Sequence, residues 1–254
     1  MRIGVALVSS CVLLVLASCS GPVAGNGTLE SRTLNTPAFD AVSAGGSAVV
    51  RVHRGASRVQ VTTDANLLPL VMAEVTGTGL RLGFRPGSQV ARMTKLEFDV
   101  TTPDLRGLAL SGSGAANVDA FDGRAFAGKV SGSAALNGEL RYDEVSLGIS
   151  GSCRVGLTGN CGHLALGLSG SGFVGLSGSA DRLDADVSGS GKIDGRDFAV
   201  RSARLDLSGS SGVELRIADR LEGNASGSSS VRYWGEPAVA FRASGASQVM
   251  KAGD

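Results

Sequence analysis

The chain has few of the residues that most often perform chemistry or contact nucleic acids. Its 254 residues include only 2 histidines, 2 tyrosines and 1 tryptophan, and aromatic residues make up 4% of the total. Basic and acidic residues nearly balance, at 24 and 23, and neither sign forms a long run. Because the chain offers neither a basic stripe nor aromatic side chains for stacking on bases, we expect no nucleic-acid partner.

Cysteine is also scarce, with 4 residues. Cys153 and Cys161 lie in the body of the chain, and their spacing to His163 matches no common zinc pattern, so we expect no metal site and no cofactor. Outside the cytoplasm these thiols could form a disulfide. An extended strand between them would hold their Cα atoms beyond the roughly 7 Å limit for that bond, so we favour two unbonded thiols.

The other two cysteines lie in an N-terminal segment that is typical of a targeting sequence. Arg2 precedes an apolar stretch over residues 3–16, which is too short to cross a bilayer comfortably. The tetrapeptide Leu16-Ala17-Ser18-Cys19 resembles the lipobox of bacterial lipoproteins. The resemblance implies a signal peptide over residues 1–18, a lipid on Cys19 and a membrane anchor in the cell envelope, most simply in the outer membrane. An ordinary secretory peptide with an incidental cysteine is the alternative.

Glycine is abundant, at 38 of 254 residues, about twice its usual share of roughly 7%. Much of it falls in a Ser-Gly-Ser tripeptide that recurs every 18 to 20 residues between short apolar–polar alternations typical of strands. The copies begin at Ser111, Ser131, Ser150, Ser169, Ser188, Ser208 and Ser226, with a degenerate copy at Ser244. A repeat of this length built from short strands predicts an all-β parallel β-solenoid with one rung per repeat.

Alignment of the repeats on their first serine predicts which side chains face the core. Positions −5, −3, −1 and +5 are almost all apolar and are expected inside, so positions −4, −2 and +6 point outward. The corner glycine permits a sharp bend with positive φ. We also expect the stacked serines to share hydroxyl hydrogen bonds from rung to rung.

The chain before the first clear repeat is less regular. A degenerate repeat over residues 42–48 predicts that this part begins the same solenoid. Residues 19–35 are small and polar, which favours a flexible tether. The domain prediction is therefore a signal peptide over 1–18, a tether over 19–35 and one β-helix domain over 36–254.

Four glycines form the first candidate site. Gly148, Gly156, Gly167 and Gly175 occupy outward positions of two adjacent rungs, where long or charged side chains are usual. A smooth face of this kind predicts close approach by an envelope protein, a glycan or a second copy of the chain. Drift within the repeat is the alternative explanation.

Three acids form a weaker candidate site. Asp186 and Asp206 share position −2 on adjacent rungs, and Asp184 lies close by at position −4. A pair of carboxylates could bind or cleave a carbohydrate. A solvated outer face with charges of alternating sign explains these acids better, because no histidine or lysine base accompanies them.

The chain also resembles the head GIN domain family of bacterial envelope proteins, described as autotransporter adhesin heads. The resemblance covers about residues 36–250 and rests on three segments: Phe39-Asp40-Ala41-Val42-Ser43 with the strand over 49–55, Val100-Thr101-Thr102-Pro103-Asp104-Leu105 with the rung over 108–114, and Tyr233-Trp234-Gly235-Glu236-Pro237. It implies a right-handed, single-stranded parallel β-helix and supplies no catalytic residues. We therefore expect a non-enzymatic structural, adhesive or ligand-binding module of the envelope, with a carbohydrate-binding or carbohydrate-cleaving β-helix protein as the alternative.

Overall fold

The computed structural model describes residues 21–253, which are nearly all in β-strands. The predicted signal peptide and Cys19 lie outside the described residues. A single 3-10 turn, Leu68–Leu70, interrupts the strands of this part of the chain. None of its helical structure is long and apolar enough to cross a membrane.

Nine strands precede the regular repeats. They are β1 (Val23–Ala24), β2 (Leu29–Leu34), β3 (Ala41–Ala44), β4 (Val49–Arg54), β5 (Arg58–Asp64), β6 (Val71–Thr76), β7 (Gly79–Phe84), β8 (Val90–Arg92) and β9 (Leu96–Thr102). The rungs follow as β10 (Gly107–Leu110), β11 (Ala115–Gly132), β12 (Ala135–Gly151), β13 (Arg154–Gly170), β14 (Phe173–Gly189), β15 (Lys192–Gly209) and β16 (Gly212–Ala225). The chain closes with β17 (Ser230–Trp234), β18 (Ala238–Ala243) and β19 (Gln248–Lys251).

The rung strands stack in parallel and confirm the predicted parallel β-solenoid, which has about eight turns. Each strand from β11 to β15 pairs along nearly its whole length with the next strand in the chain. The Ser-Gly-Ser corners stack on one another, as Ser150 on Ser131 and Ser169 on Ser150. The strands β3 and β4 continue the stack, in parallel with β10 and β11, so the degenerate repeat over 42–48 is a true rung.

The core is a column of apolar side chains inside the rungs. Leu147, Leu168 and Leu205 are at most 2% exposed, in agreement with the predicted inward positions. The prediction fails only at the last rung, where Val239 is 47% exposed. No described strand stacks beyond that rung, so its inward positions lack a covering layer.

The corner glycines are required by their conformation and by their spacing. Those of the repeats have φ between +70° and +99°, a region that other residues rarely adopt. A Cβ atom at Gly170 would also lie 2.7 Å from the carbonyl oxygen of Gly151 on the preceding rung. Only glycine satisfies both constraints when corners stack this closely.

The serine hydroxyls do not share hydrogen bonds with one another as predicted. Ser131 Oγ donates to the carbonyl of Leu110 at 3.3 Å, and Ser169 Oγ donates to that of Ile149 at 3.4 Å. Rung spacing alone does not prevent a bond between hydroxyls, since Thr158 and Ser177 on adjacent rungs are 2.9 Å apart. At the corners the hydroxyls turn to the carbonyl of the preceding rung instead, so these serines fasten the corner to the backbone.

Both cysteines of the body are free thiols, as favoured from the sequence. Cys153 is buried, and its thiol donates to the carbonyl of Ser150 at 3.3 Å. In later rungs Ser211 occupies the same position and donates to the carbonyl of Ser208 at 2.9 Å. Cys153 is therefore a corner residue that replaces a serine. Burial, with a smaller effect from Asp181, raises the pKa of the Cys161 thiol to about 11.

Antiparallel strands cap the N-terminal end of the solenoid. The strands β9 and β7 stack on β4 and β3, and β5 then pairs antiparallel with β9 while β6 pairs antiparallel with β7. The outermost strand, β2, pairs antiparallel with β5 over six residues. The predicted tether over 19–35 is therefore wrong for residues 29–34, whose backbone hydrogen bonds cover the edge of β5.

A buried carboxylate fastens this cap. Asp64 accepts hydrogen bonds from the backbone N–H of Thr94 at 2.7 Å, the hydroxyl of Thr94 at 2.8 Å and the backbone N–H of Gly27 at 2.7 Å. The bond from the Thr94 N–H is the main reason that the pKa of Asp64 lies below its usual value, against an opposing effect of burial. Asp64 thus joins the end of β5 to the segment before β2 and the loop before β9.

Candidate functional site

Small side chains cover one outward face of the solenoid. We define the small-residue face as positions −4 and −2 of five consecutive rungs, from β3 through β10 to β13. Its small members are Ala41, Ser43, Gly107, Ala109, Ala127, Ser146, Gly148, Ala165 and Gly167. Lys129 is its one long side chain. The face extends over three more rungs than the two that the glycine pattern predicted.

Two of the predicted glycines lie on this face and are open to solvent. Gly148 and Gly167 are neighbours on adjacent rungs. A Cβ atom built on Gly148 meets no heavy atom within 4 Å, and one on Gly167 meets only the carbonyl oxygen of Leu147, at 3.9 Å. Neither glycine has the positive φ of the corner glycines. The backbone at these positions is therefore exposed without any local need for glycine.

The other two predicted glycines lie on a different face. Gly156 and Gly175 follow the Ser-Gly-Ser corner and form the floor of an open groove of about 640 Å³. A Cβ atom on Gly156 would lie 2.8 Å from Asn137 Oδ1, and one on Gly175 would lie 3.5 Å from the ring of Phe173. The prediction of one four-glycine patch is therefore wrong, because the corner turns the strand between each pair.

The three acids lie on neighbouring strand positions of two adjacent rungs, and two of them, Asp184 and Asp206, are engaged in ion pairs and hydrogen bonds. Asp184 accepts hydrogen bonds from Arg182 Nε at 2.9 Å and from His163 Nε2 at 2.8 Å. The expectation that no histidine accompanies the acids is therefore wrong, because His163 on the preceding rung reaches Asp184. Partial burial raises the pKa of Asp184, but the bonds from Arg182 and His163 outweigh burial and hold the pKa below its usual value. A general acid in glycoside hydrolysis needs the opposite shift.

Asp186 and Asp206 face each other across adjacent rungs beside a shallow depression of about 290 Å³. Asp206 pairs with Arg204 at 3.3 Å and accepts a hydrogen bond from Asn224 Nδ2 at 2.8 Å. The geometry fits the solvated outer face of alternating charge better than an acid–base pair. Among the described residues, no three acid, histidine or cysteine side chains are close enough to hold a metal ion.

Fold and surface together define the class of protein: a parallel β-solenoid whose N-terminal end is capped by antiparallel strands. The family model described as "Putative auto-transporter adhesin, head GIN domain" matches residues 38–237. The chain belongs to this head GIN domain family, as its sequence resemblance indicated. No curated protein matches the chain.

Solved structures agree with this fold over nearly their whole length. A "putative adhesin" from Parabacteroides merdae has a TM-score of 0.87 at 22% identity, covering 91% of this chain and 98% of its own. A "putative adhesin" from Parabacteroides distasonis has a TM-score of 0.81 at 22% identity, covering 90% and 99%. A "putative lipid binding protein" from the same species has a TM-score of 0.81 at 23% identity, covering 91% and 99%. At these identities the likeness concerns the fold alone.

Proposed function

We propose that the chain is a lipid-anchored cell-envelope protein that binds another envelope protein, without catalysis, through the small-residue face. The observation that carries the proposal is the run of small outward residues over five rungs, together with the open backbone at Gly148 and Gly167. Membership of a family described as adhesin heads supports a binding role in the envelope. The ion pairs of Asp184 and Asp206 argue against the carbohydrate-cleaving alternative.

The chemistry of the face favours a protein surface over a glycan. Glycine, alanine and serine let a second sheet approach closely, since sheets with larger side chains pack about 10 Å apart. Small-ligand sites instead depend on concave shape and converging polar groups. The small-residue face offers one charged side chain, Lys129, and no aromatic ring for a sugar.

An arginine substitution tests the face directly. Gly167→Arg would project a long charged side chain from the last rung of the face, next to Gly148, and the open surroundings of Gly167 let it do so without disturbing the fold. Ala199→Arg adds the same side chain at an exposed position of β15, away from the face. Envelopes from cells producing each full-length variant would be cross-linked mildly, and the captured species separated by mass.

We expect a specific cross-linked partner with the wild type and Ala199→Arg, and its loss with Gly167→Arg. A cross-linked species of twice the chain mass would identify a second copy as the partner, which sedimentation of the purified protein at several concentrations would verify. Circular dichroism serves as the folding control for both variants. Equal capture by all three proteins, or capture by none, would overturn the proposal.

The anchor is tested separately at Cys19. Cys19→Ala should abolish lipidation and shift the protein from the detergent phase to the aqueous phase, or leave the precursor uncleaved. Cys153→Ala is the matched control, because Cys153 is buried in a corner and unavailable for lipid. Equal partitioning of the wild type and Cys19→Ala would reject the anchor and leave the small-residue face untouched.

The proposed anchor also fixes which end of the solenoid lies near the membrane. Cys19 is only four residues before Val23, so about 14 Å of extended chain separates them at most. Val23 pairs with Val90 of β8, at the capped end. The capped end would therefore lie near the lipid, and the rungs would extend from there.

A further inference from the structure

The capped end carries a second candidate site, which the repeat pattern does not predict. A cleft of about 1070 Å³ lies between the β6–β7 hairpin, the segment around β8, and the corner side of β3, β10 and β11. We call it the basic cleft. Its volume is slightly above the range typical of small-molecule sites, roughly 300–1,000 Å³.

The inner wall of the basic cleft is apolar. Met72, Phe84, Val90 and Met93 are half-buried there, over the buried side chain of Leu82. Methionine side chains are flexible and polarisable, so they adapt to ligands of irregular shape. A wall of this composition favours a flexible hydrocarbon chain over a rigid polar ligand.

The charged side chains that line the cleft are all cationic. Arg81 on β7, Arg92 on β8 and Lys129 on β11 line it, and no aspartate or glutamate does. Glu74 lies opposite Arg81 in the β6–β7 ladder, but it forms no ion pair with Arg81. None of the three cations forms an ion pair or a side-chain hydrogen bond with another described residue.

The lack of partners sets these three cations apart from most others in the solenoid. On the rungs, arginines commonly pair with an acid two positions along the strand, as Arg182 does with Asp184 and Arg220 with Glu222. Three unpaired positive charges around one cleft create a positive potential that attracts an anion. The apolar wall beside them suits a tail attached to that anion.

We infer that the basic cleft binds an anionic amphiphile, a molecule with a carboxylate or phosphate head and a hydrocarbon tail. The head lies against Arg81, Arg92 and Lys129, and the tail lies along Met72, Phe84 and Met93.

The basic cleft shares Ser43, Ala109 and Lys129 with the small-residue face. Arg81 and Arg92 line only the cleft, whereas Gly148 and Gly167 lie only on the face. The two proposals are therefore tested by different substitutions, and the inference does not depend on the face.

Titration calorimetry on the full-length protein in phosphatidylcholine nanodiscs tests the inference, with empty nanodiscs as the blank. Decanoate and decyl phosphate supply the two anionic heads on one tail. Decanol supplies the tail without charge, and inorganic phosphate supplies the charge without a tail. We expect at least one of the two anionic amphiphiles to bind. Decanol and inorganic phosphate should each bind at least tenfold more weakly than that amphiphile. The preferred head then identifies the class of ligand.

Matched substitutions locate the binding. The triple variant Arg81→Gln, Arg92→Gln, Lys129→Gln should weaken the preferred amphiphile at least tenfold. The control variant Arg124→Gln, Arg154→Gln removes two other unpaired arginines that do not line the cleft, and should change affinity less than twofold. Ser111→Glu, which places a carboxylate in the cleft, should also weaken binding, whereas Ser113→Glu at the same corner but outside the cleft should not.

Several results would overturn the inference. They are the absence of binding by both anionic amphiphiles, equal binding by decanol, equal binding by inorganic phosphate, and unchanged affinity in the triple variant. Circular dichroism of each variant excludes unfolding as the cause of a loss. A reduced affinity at high salt would agree with an exposed ionic contact.

Discussion

At the scale of the residue, the repeat is a set of positions with one physical requirement each. The inward positions were predicted correctly from alternation alone, since burial of every second side chain leaves a direct mark in the sequence. The hydrogen-bond partner of the corner serine is not predicted by alternation, because it depends on the direction in which the hydroxyl turns at the corner. Cys153 shows the same limit: the repeat alignment places it in the same corner position as Ser211, but it does not predict the carbonyl contact that the two share.

The alternation of inward and outward residues leads to a stability prediction on two neighbouring positions. Leu147→Asp would bury an unpaired carboxylate between rungs and should cost roughly 4 kcal/mol or more. Gly148→Asp introduces the same side chain one residue later, where it points to solvent beside Lys129, and should change stability little. Urea unfolding followed by circular dichroism measures both. Similar losses for the two variants would contradict the register.

Asp64 makes the stability of the cap depend on pH. An unfolded aspartate has a pKa of about 3.9, and the pKa in the folded protein is lower. The carboxylate therefore stabilises the fold fully above pH 4, and this contribution is lost as pH falls through the folded value. We expect Asp64→Asn to be less stable than the wild type at pH 7, and we expect this difference in stability to shrink towards pH 3. Thermal unfolding at both pH values measures it, and a constant gap would refute the role of the charge.

At the scale of the element, the sequence predicts the rungs well and misses the outermost strand of the cap, β2. A rung strand has one buried and one exposed side, so its alternation is visible. The strand β2 is exposed on almost every residue and is held by backbone hydrogen bonds to β5. Such a strand carries no alternation, and its small polar flanks look like a linker.

The stacked corners lead to a prediction on two glycines in contrasting surroundings, one crowded at a corner and one open to solvent. Gly170→Ala places a Cβ atom 2.7 Å from the carbonyl of Gly151 at φ +99°, which should cost at least about 1–3 kcal/mol. Gly148→Ala, in open space on an extended strand, should be neutral or stabilising by about 0.5–1 kcal/mol. Differential scanning calorimetry compares them. A Gly170→Ala protein as stable as the wild type would show that the corners relax more easily than their spacing suggests.

At the scale of the whole molecule, the sequence predicted the solenoid but only part of its surface. Gly148 and Gly167 could be placed on one face because they share a strand position in adjacent rungs. Gly156 could not, because the turn at the corner determines its direction. The basic cleft was out of reach for a different reason: its lining comes from segments far apart in the chain, which the antiparallel cap brings together.

The two ends of the solenoid differ, which gives a prediction for its dynamics. Antiparallel strands cover the N-terminal rungs, whereas no described strand covers the outer edge of β18 and β19, where Val239 and Met250 are 47% and 39% exposed. In a stacked repeat each rung is stabilised mainly by its neighbours, so a rung with one neighbour opens most easily. We expect hydrogen exchange of the full-length protein to be fastest, among the strands, in β18 and β19. Exchange should be slowest in β12 to β15, and β5 should remain protected under β2. If β5 exchanged as fast as β18, the antiparallel strands would not act as a cap, and residues 29–34 would behave as the flexible segment that their composition suggested.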